Sequence, residues 1–285
     1  MPLKKYLERA EKEGFALGAF NAANWEVVKA ICQAAEKLKA PVIIESSPGE
    51  ADYIALENLG DLIENAKAKA RLPIFLNLDH GKSIEAVKQA LKCGFDMVHF
   101  DGSGLDFEEN KKITKRAVLL ARKKKVVIEG ELGYISGRSE AFLKMPVEEI
   151  QSLGVFTDSD EAKIFVKATG IDVLAVFIGN VHGMYKGEPK LDLERLSQIR
   201  EKTQCWLSLH GGSGIEVRQI KQAIKRGIVK INVNTELRLA YKKKVKEVFS
   251  QSNEVAIYKL MPPVIEAVQK VVEEKIKIFG SAGKR

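Results

Sequence analysis

Cysteine is scarce in this sequence and forms no recognisable pattern. The chain of 285 residues contains three cysteines, Cys32, Cys93 and Cys205, which are far apart and show no CxxC spacing. This scarcity excludes a disulfide-stapled fold and a cysteine-rich zinc module. An odd number of isolated thiols is typical of a reducing compartment, so we expect buried free cysteines in a cytoplasmic protein.

Long apolar runs are also missing. No segment reaches the about 18 consecutive apolar residues that a membrane-spanning helix needs. The first residues, MPLKKYLERAEKEG, mix charged and apolar groups at helical spacing and do not place an apolar stretch after a basic one. We therefore expect no signal peptide, no membrane span and no membrane partner.

The net charge is strongly positive, but its distribution is not that of a nucleic-acid-binding protein. The formal net charge is +8, and basic runs occur at residues 122–125 and 242–244. Both runs lie in segments with helical periodicity, where they form solvated faces, and no RNA- or DNA-binding motif accompanies them. We predict no nucleic-acid partner, and the positive excess favours the approach of small anionic substrates.

Short apolar runs alternate with longer segments of helical periodicity along the whole chain. Glycines that end helices stand before several of these runs, at Gly94, Gly170 and Gly227. This order predicts an α/β protein, a closed (β/α)₈ barrel (TIM barrel) that forms a single domain over residues 1–285. The eight predicted strands are 17–21, 41–47, 74–79, 97–101, 126–131, 173–178, 206–210 and 229–233.

A doubly wound open sheet is the alternative architecture. Such a sheet normally has fewer strands, and a GxGxxG turn follows its first strand. The residues at the first predicted strand read GAFNAAN and lack that turn. The sequence therefore favours the barrel.

Polar or glycine-rich residues end every predicted strand. In a (β/α)₈ barrel these positions meet at the C-terminal rim, where the active sites of this fold lie. His80, His182 and His210 end the third, sixth and seventh predicted strands. Three neutral imidazoles with an open fourth position are typical of catalytic zinc, so we predict a zinc site. His99 lies within a strand and is predicted to pack in the core.

Carboxylates accompany the histidines. Asp79 adjoins His80, and because side chains alternate along a strand we expect the two to point in different directions. A carboxylate beside a metal ligand but turned away from the metal suits general acid–base catalysis. Asp101 and Glu131 end the fourth and fifth predicted strands. We expect them to bind a second cation or to hydrogen-bond the ligands, or alternatively to cap the following helices.

Two loops have the composition of a phosphate site. Residues 210–214 read HGGSG after the seventh predicted strand, and residues 232–235 read NVNT after the eighth. Loops in these two positions commonly bind phosphate in this architecture. Glycine lets backbone N–H groups approach an anion, and Ser213 and Thr235 add hydroxyl donors.

Six motifs, in order along the chain, resemble the signatures of one family. They are similar to those of class II, zinc-dependent fructose- or tagatose-bisphosphate aldolases, and the resemblance covers essentially the whole chain. It implies a lyase of glycolysis and gluconeogenesis that reversibly cleaves fructose 1,6-bisphosphate to dihydroxyacetone phosphate and glyceraldehyde 3-phosphate through a zinc-stabilised enediolate. The motifs are LDHGKSIE (78–85), FDGSGLDFEEN (100–110), EGELG (129–133), GNVHGMYKG (179–187), LHGGSG (209–214) and NVNTELR (232–238).

The resemblance implies a set of metal ions. A catalytic Zn²⁺ would be held by His80, His182 and His210. Asp101 and Glu131 match positions associated with a second divalent metal in such enzymes. Members of the family often also use a monovalent cation, Na⁺ or K⁺, near the phosphate.

The resemblance also implies roles towards the phosphorylated sugar. Asp79 would donate and accept the proton at the aldol hydroxyl, and Ser47 would meet the aldehyde-side phosphate. The residues implied to bind dihydroxyacetone phosphate are Gly183, Gly211, Gly212, Ser213, Asn232, Val233, Asn234 and Thr235.

The loop after the fifth predicted strand departs from the family pattern. Members of the family usually have a glycine pair followed by acidic residues, which supply the base that removes the C3 proton. The first carboxylate in this loop is Glu140, displaced by about one position from the family pattern, so Glu140 is the predicted base. Glu148 or Glu149 is the alternative.

A second departure adds negative charge near the aldehyde end of the site. Glu45 stands where the family commonly has glutamine, and further acidic residues follow within 50–52. We expect this charge to alter the aldehyde that the enzyme prefers.

Three other functions are possible for a barrel with these residues: an aldolase for a different sugar, a zinc-dependent hydrolase and a non-catalytic binding protein. The alternative within the same chemistry is an aldolase for tagatose bisphosphate, which differs from fructose bisphosphate in configuration at C4, or for another phosphorylated ketose. Asn180 mildly favours fructose. A zinc-dependent barrel hydrolase commonly carries an HxH pair on an early strand, which this sequence lacks. A non-catalytic binding barrel predicts loss of a ligand histidine or of Asp79. By the same resemblance we expect a homodimer or a homotetramer.

Overall fold

Eight parallel strands close into a barrel in chain order, with the last strand paired to the first. The computed structural model describes residues 1–70, 72–137 and 145–285. The predicted (β/α)₈ barrel is confirmed, and every predicted strand agrees with an observed one to within two residues at each end. The strands are β1 (Leu17–Asn21), β2 (Val42–Ser46), β3 (Ile74–Gly81), β4 (Met97–Phe100), β5 (Val127–Leu132), β6 (Val173–Val176), β7 (Trp206–Leu209) and β8 (Ile228–Val233).

Helices surround the barrel and connect its strands. None of those in the described ranges is long and apolar enough to cross a membrane. They are α1 (Leu3–Glu13), α2 (Trp25–Leu38), α3 (Pro48–Ile54), α4 (Leu56–Ala70), α5 (Ile84–Lys92), α6 (Phe107–Lys124), α7 (Val147–Ser152), α8 (Ser159–Thr169), α9 (Leu193–Lys202), α10 (Val217–Lys225), α11 (Thr235–Gln251), α12 (Ile257–Leu260) and α13 (Pro262–Ile278).

The larger apolar cluster lies between the barrel and its helices. Outward-pointing strand side chains such as Ile44 and Val98 pack against buried helix residues such as Val28 of α2 and Val268 of α13. Removing this apolar surface from water is the main favourable term in folding. The resulting shell holds the strand ends in place, so loops far apart in sequence meet at one rim.

Helix α1 closes the N-terminal end of the barrel. Its apolar face packs against inward-pointing strand side chains, and the rings of Tyr6 and Phe75 lie 5.4 Å apart. The open end of the barrel is therefore the C-terminal one. The cluster beneath the barrel comprises Leu3, Tyr6, Leu7, Ala10, Phe15, Leu17, Ala19, Ile43, Phe75, Met97, Val127, Val173 and Val229.

A polar layer lies above this apolar one inside the barrel. Side chains two positions apart on a strand share a face, so the inward residue that follows Ile43 is Glu45 and the one that follows Val127 is Glu129. The layer is completely buried. Its members are Glu45, Asn77, His99, Glu129, Ser208 and Lys230.

An irregularity at the end of β3 changes the direction of two neighbouring side chains. The pairing of β3 with β4 shifts between Leu78 and Gly81, and His80 has a φ of 50°, in the left-handed region. Such a bulge interrupts the alternation of a strand and re-aims a side chain. Asp79 and His80 consequently line the same cavity. The expectation that they point in different directions is wrong.

The three cysteines are free thiols. Cys205 is buried, and Cys32 and Cys93 are partly buried. Burial raises the pKa of Cys32 to about 11 and that of Cys205 to about 12. Thiols with such pKa values are protonated and unreactive at neutral pH, in keeping with a packing role.

Helix α8 provides a test of local stability. The Asp158 side chain accepts hydrogen bonds from the backbone N–H groups of Asp160 (2.8 Å) and Glu161 (2.9 Å). We expect Asp158→Ala to lower the free energy of unfolding by about 1 kcal/mol, because the first turn loses its cap. Urea denaturation measures this loss. Asp158→Asn retains a capping oxygen and is the control, and equal losses in both variants would contradict the capping role.

Candidate active site and metal centre

A cavity opens at the C-terminal end of the barrel, where six strands or their following loops contribute side chains. It contains Asp79 and all three histidines predicted to bind zinc. Its lining residues are Asn21, Ser47, Asp79, His80, His182, Gly183, His210, Gly211, Ser213, Asn232, Asn234 and Thr235.

Two buried carboxylates orient two of the histidines. His80 Nδ1 lies 2.6 Å from Asp101 Oδ2, and His210 Nε2 lies 3.2 Å from Glu129 Oε1. Burial alone would raise the pKa of both acids, but His80 beside Asp101 and Lys230 beside Glu129 hold each pKa well below its usual range. An ionised carboxylate only accepts hydrogen bonds, so the ring nitrogen facing it carries the hydrogen.

The remaining nitrogens of these two rings face each other. His80 Nε2 and His210 Nδ1 are 3.0 Å apart, and Asp79 Oδ1 lies 3.9 Å from each of them. Two lone pairs at this distance repel unless a proton or a metal ion lies between them. Burial lowers the pKa of His80, but Asp79, Asp101 and Glu131 outweigh it and raise that pKa to about 9. Without a metal, the His80 proton therefore bridges the two rings.

Asp79 is held by two side-chain amides. Asn21 Nδ2 donates to Oδ2 and Asn232 Nδ2 donates to Oδ1, each at 3.0 Å. Burial raises the pKa of Asp79, but His80 and the neighbouring histidines outweigh this effect and keep the pKa well below its usual range. The residue is therefore an ionised, oriented carboxylate, which is the state that a proton acceptor requires.

His182 lies in the loop after β6 and lines the same cavity. Its ring centroid is 5.1 Å from that of His80 and 6.3 Å from that of His210. Burial and the two neighbouring imidazoles lower its pKa to about 3, so the ring is neutral, as a metal ligand must be. The structure thus brings His80 and His210 into direct contact and places His182 beside them.

His99 belongs to the same cluster, so a role in packing alone does not describe it. Its ring lies 4.9 Å from that of His80 and 5.0 Å from that of His210. His99 Nε2 is 3.3 Å from Glu131 Oε2, and within the described ranges neither atom has a hydrogen-bond partner. Ligand atoms of His99, Asp79, His80 and His210 all lie within 4.8 Å of one another.

Asp101 and Glu131 form a second group with His80, whose ligand atoms also lie within 4.8 Å of one another. Glu131 Oε2 is 3.4 Å from His80 Nδ1. The alternative role as a helix cap does not apply to Asp101, because Asp106 caps α6. Asp101 instead accepts hydrogen bonds from the backbone N–H (3.0 Å) and the hydroxyl (2.6 Å) of Ser103.

Sequence analysis missed a buried ion network beneath the histidines. Lys230 Nζ donates to Glu129 Oε2 (2.9 Å) and to Asn232 Oδ1 (2.7 Å), and lies 3.5 Å from Glu45 Oε2. Burial and the charge of Asp79 raise the pKa of Glu45 to about 8 despite the nearby lysine. The network therefore joins the carboxylate that orients His210 to the amide that holds Asp79.

A signal for this network was present in the strand pattern. Glu129 stands two positions before Glu131, and Lys230 stands two positions before Asn232. Residues at this spacing face the same side of a strand. A charged residue two positions before a predicted site residue, inside an otherwise apolar strand, therefore predicts a side chain in the barrel interior just beneath the site.

Of the residues predicted to bind substrate, all but two line the cavity. Gly212 does not, because its N–H donates to Asn232 O at 2.8 Å, and a Cβ at this position would lie 2.8 Å from the same oxygen. Glycine is needed there so that the two loops can approach each other. The Val233 side chain instead packs between the barrel and its helices. The seven that line the cavity are Ser47, Gly183, Gly211, Ser213, Asn232, Asn234 and Thr235.

Comparisons with known proteins agree with this site. The family described as fructose-bisphosphate aldolase class-II matches residues 1–284. The fructose-bisphosphate aldolase of Geobacillus stearothermophilus is 38% identical over 286 residues, which cover 99% of this chain and 97% of that protein. The Staphylococcus aureus protein of the same name is 38% identical over 291 residues, covering 100% of this chain and 99% of that one. The chain belongs to the class II fructose-bisphosphate aldolase family.

A solved structure supports the same assignment. The YdjI aldolase of Escherichia coli K12 has a TM-score of 0.84 with this class II aldolase at 35% identity, over 100% of this chain and 98% of that one. The predicted family is confirmed, and with it an aldehyde-lyase that depends on a metal. Membership of this family argues against the two alternative functions, a zinc-dependent barrel hydrolase and a non-catalytic binding barrel.

The donor set of this class II aldolase fits a divalent metal ion. Imidazoles beside carboxylates suit zinc once the rings are deprotonated, and one nitrogen each of His80, His99 and His210 lies with an Asp79 oxygen within 4.8 Å of one another.

The predicted C3 base lies outside the described residues. Glu140 falls between residues 137 and 145, which bound a gap in the described chain. The alternatives Glu148 and Glu149 lie on α7, where both are exposed, and neither lines the cavity.

Metal binding is expected to release protons at neutral pH. His80 has a pKa raised to about 9 in the metal-free protein, so it carries a proton at pH 7.5 that a divalent cation must displace. Calorimetric titration with Zn²⁺ in buffers of different ionisation enthalpy should show at least about one proton released per ion. His80→Gln is the control and should release fewer protons. Binding to the wild type without proton release would contradict this protonation state.

Proposed function

We propose that this class II aldolase reversibly cleaves fructose 1,6-bisphosphate to dihydroxyacetone phosphate and glyceraldehyde 3-phosphate. The observation that carries the proposal is the position of the Asp79 carboxylate, 3.9 Å from the facing nitrogens of His80 and His210. A carboxylate so placed is near enough to a metal-bound substrate to exchange a proton with it. The fructose-bisphosphate aldolases of two bacteria at 38% identity support this substrate.

The catalytic metal is proposed to be Zn²⁺ held by His80, His182 and His210. When bound, the ion would act as a Lewis acid that draws electron density from the ketone of the substrate. The hydrogen bonds from His80 to Asp101 and from His210 to Glu129 orient the two rings for such binding. Asp101 and Glu131 are proposed as the second divalent position, which shares the His80 side chain.

Asp79 is proposed as the proton acceptor at the C4 hydroxyl during cleavage and as the proton donor in the reverse reaction. Its low pKa keeps it ionised before cleavage, and the amides of Asn21 and Asn232 fix both oxygens. A hydroxyl that approaches the remaining lone pairs would lose its proton to this carboxylate as the carbon–carbon bond breaks. Glu140 is proposed to exchange the C3 proton.

The loops after β6, β7 and β8 are proposed to bind dihydroxyacetone phosphate. Residues from all three loops line the same cavity, and the Gly211 φ of 60° turns the backbone in a way that other residues rarely adopt. Gly212 contributes by allowing close packing of the loops, and Val233 by anchoring its strand. A Na⁺ or K⁺ ion beside the phosphate is part of the proposal. The residues proposed to line the phosphate are Gly183, Gly211, Ser213, Asn232, Asn234 and Thr235.

The proposal extends to the assembly and location of the protein. One catalytic domain over residues 1–285 would assemble as a homodimer or homotetramer in the cytoplasm. Val255, Ile257 and Tyr258 are largely exposed apolar side chains close together in sequence, and such surfaces are commonly covered by a second copy. The free thiols favour a reducing compartment.

The first test combines metal removal with Asp79→Asn. Chelation should abolish cleavage of fructose 1,6-bisphosphate in a coupled assay, and added Zn²⁺ should restore it. Asp79→Asn should lower kcat/KM by at least about 100-fold, because the amide cannot accept the hydroxyl proton. Metal content measured by emission spectroscopy should stay unchanged in the variant. Full activity of the chelated enzyme, or of Asp79→Asn, would contradict the mechanism.

The second test concerns Glu140. Glu140→Ala should lower the rate of C3 proton exchange in dihydroxyacetone phosphate by at least about 100-fold, because no other base replaces it. Exchange with deuterated solvent is followed by NMR. The matched controls are Glu148→Ala and Glu149→Ala, which should exchange at the wild-type rate. Loss of exchange in one of these controls, with exchange retained in Glu140→Ala, would assign the base to α7.

Tagatose 1,6-bisphosphate is the second candidate substrate. Asn180, which mildly favours fructose, is buried, and its side chain bonds the backbone of β6 and of His210, with Nδ2 donating to His210 O at 3.2 Å. Comparing kcat/KM for the two bisphosphates decides between them. A higher value for tagatose would replace fructose in the proposal.

A further inference from the structure

Glu50, in the first turn of α3, lies directly behind a corner of the cavity that is lined by Asn21, Ser47 and Asn234, and it bonds all three. It is buried, with a relative exposure of 6%, and its two oxygens accept five hydrogen bonds. Oε2 accepts from Asn21 Nδ2 (2.9 Å), from the backbone N–H of Ser47 (2.9 Å) and from Ser47 Oγ (2.8 Å). Oε1 accepts from Asn234 Nδ2 (3.1 Å) and Arg238 Nη2 (2.6 Å).

This corner belongs to the aldehyde half of the site. Asn21 Nδ2 donates both to Glu50 Oε2 and to Asp79 Oδ2, so one amide separates Glu50 from the proposed proton acceptor. The aldehyde half of the sugar begins at the carbon whose hydroxyl meets Asp79. Ser47 lines the cavity close to Asn21, since Glu50 Oε2 bonds both side chains, and the far end of the aldehyde half is placed beside it.

The donors that a terminal phosphate would use there are already bound to Glu50. The Ser47 hydroxyl and the Arg238 guanidinium both donate to its carboxylate. Among the described residues that line the cavity, none is a lysine or an arginine. A phosphate in this corner would compete for the same two donors and would meet a like charge at close range.

An uncharged, hydroxylated end would meet a different surface. A sugar hydroxyl can donate to Ser47 Oγ, whose lone pairs remain free while its proton is bound to Glu50, and it brings no like charge towards that carboxylate. The Arg238 side chain, which is 39% exposed, would still compensate the charge of Glu50.

We propose that Glu50 is a specificity-determining residue that reduces the preference of this enzyme for a phosphate at the aldehyde end of the ketose. The inference rests on the proposed aldol cleavage at Asp79 and adds a substrate class to it. Ketose 1-phosphates whose aldehyde half ends in a hydroxyl are then cleaved with an efficiency comparable to that of the bisphosphate.

A purely structural role for Glu50 makes a different prediction. Glu50 accepts a hydrogen bond from the backbone N–H of Ser47, three residues earlier. This pattern is a capping box, which stabilises the start of α3. Loss of the cap alone would lower the activity towards every substrate by the same factor. The ratio between a phosphorylated and an unphosphorylated substrate therefore separates the two roles.

The test compares kcat/KM for fructose 1,6-bisphosphate and fructose 1-phosphate in the zinc-loaded enzyme. Glu50→Gln removes the charge and keeps an oxygen that can cap α3. It should raise the ratio of bisphosphate to monophosphate by at least about tenfold, because the like charge is gone. Asp52→Asn removes an exposed carboxylate from the same helix and should change the ratio by less than about twofold, since solvent screens it.

The outcomes separate clearly. A ratio in Glu50→Gln that matches the wild type, with activity retained, overturns the inference. If Glu50→Gln is inactive, Glu50→Asp is measured in its place. This variant keeps the charge on a shorter side chain, so its ratio of bisphosphate to monophosphate cleavage should match that of the wild type. A tenfold rise in the ratio in Glu50→Asp would equally overturn the inference.

Failure of the proposed function is distinguishable from failure of this inference. If the wild type cleaves neither sugar, the proposed function fails, and calorimetric binding of glucitol 1,6-bisphosphate and glucitol 1-phosphate replaces the kinetic ratio. Glu50→Gln should then increase the affinity for glucitol 1,6-bisphosphate, relative to that for glucitol 1-phosphate, by at least about tenfold. Equal changes in both affinities would overturn the role of Glu50.

Discussion

The hydrogen bonds from buried carboxylates to two imidazole rings are the interaction on which this site depends. Asp101 and Glu129 accept from His80 Nδ1 and His210 Nε2, and this leaves the other nitrogen of each ring turned towards its neighbour. This is the orientation that the proposed metal site requires. Because the carboxylates are buried, the field they exert is little screened by water, and Lys230 compensates the charge of Glu129.

The barrel makes this arrangement possible by its layering. Side chains inside a closed barrel alternate along each strand, so an apolar layer at the closed end is followed by a polar layer and then by the site. The apolar layer and α1 exclude water from below. The polar layer can hold Glu129 and Lys230 at full burial because these two charges face each other, whereas burial raises the pKa of Glu45 to about 8 and keeps this acid mostly protonated at neutral pH. The ion network in turn orients Asn232, which fixes Asp79.

Much of the fold and part of the site were predictable from local patterns. The strand boundaries agreed because β-branched runs and helix-stopping glycines are local signals that the barrel does not override. The site histidines were predictable because a barrel gathers every strand end at one rim, so His80, His182 and His210 had to meet. The expectation for Asp79 failed because the bulge at His80, with a φ of 50°, reverses an alternation that the sequence shows no reason to break.

The sequence by itself determined the architecture, the family and the residue types at the rim, since these depend on periodicity and motif order. Only the tertiary structure decided which side chains touch. His99 lies in the group of candidate metal ligands, Gly212 allows two loops to pack closely, and Glu50 binds the donors around Ser47. These outcomes depend on distances between strands and loops that are far apart in the chain. Such distances are set by the packing of the whole barrel and not by any local segment.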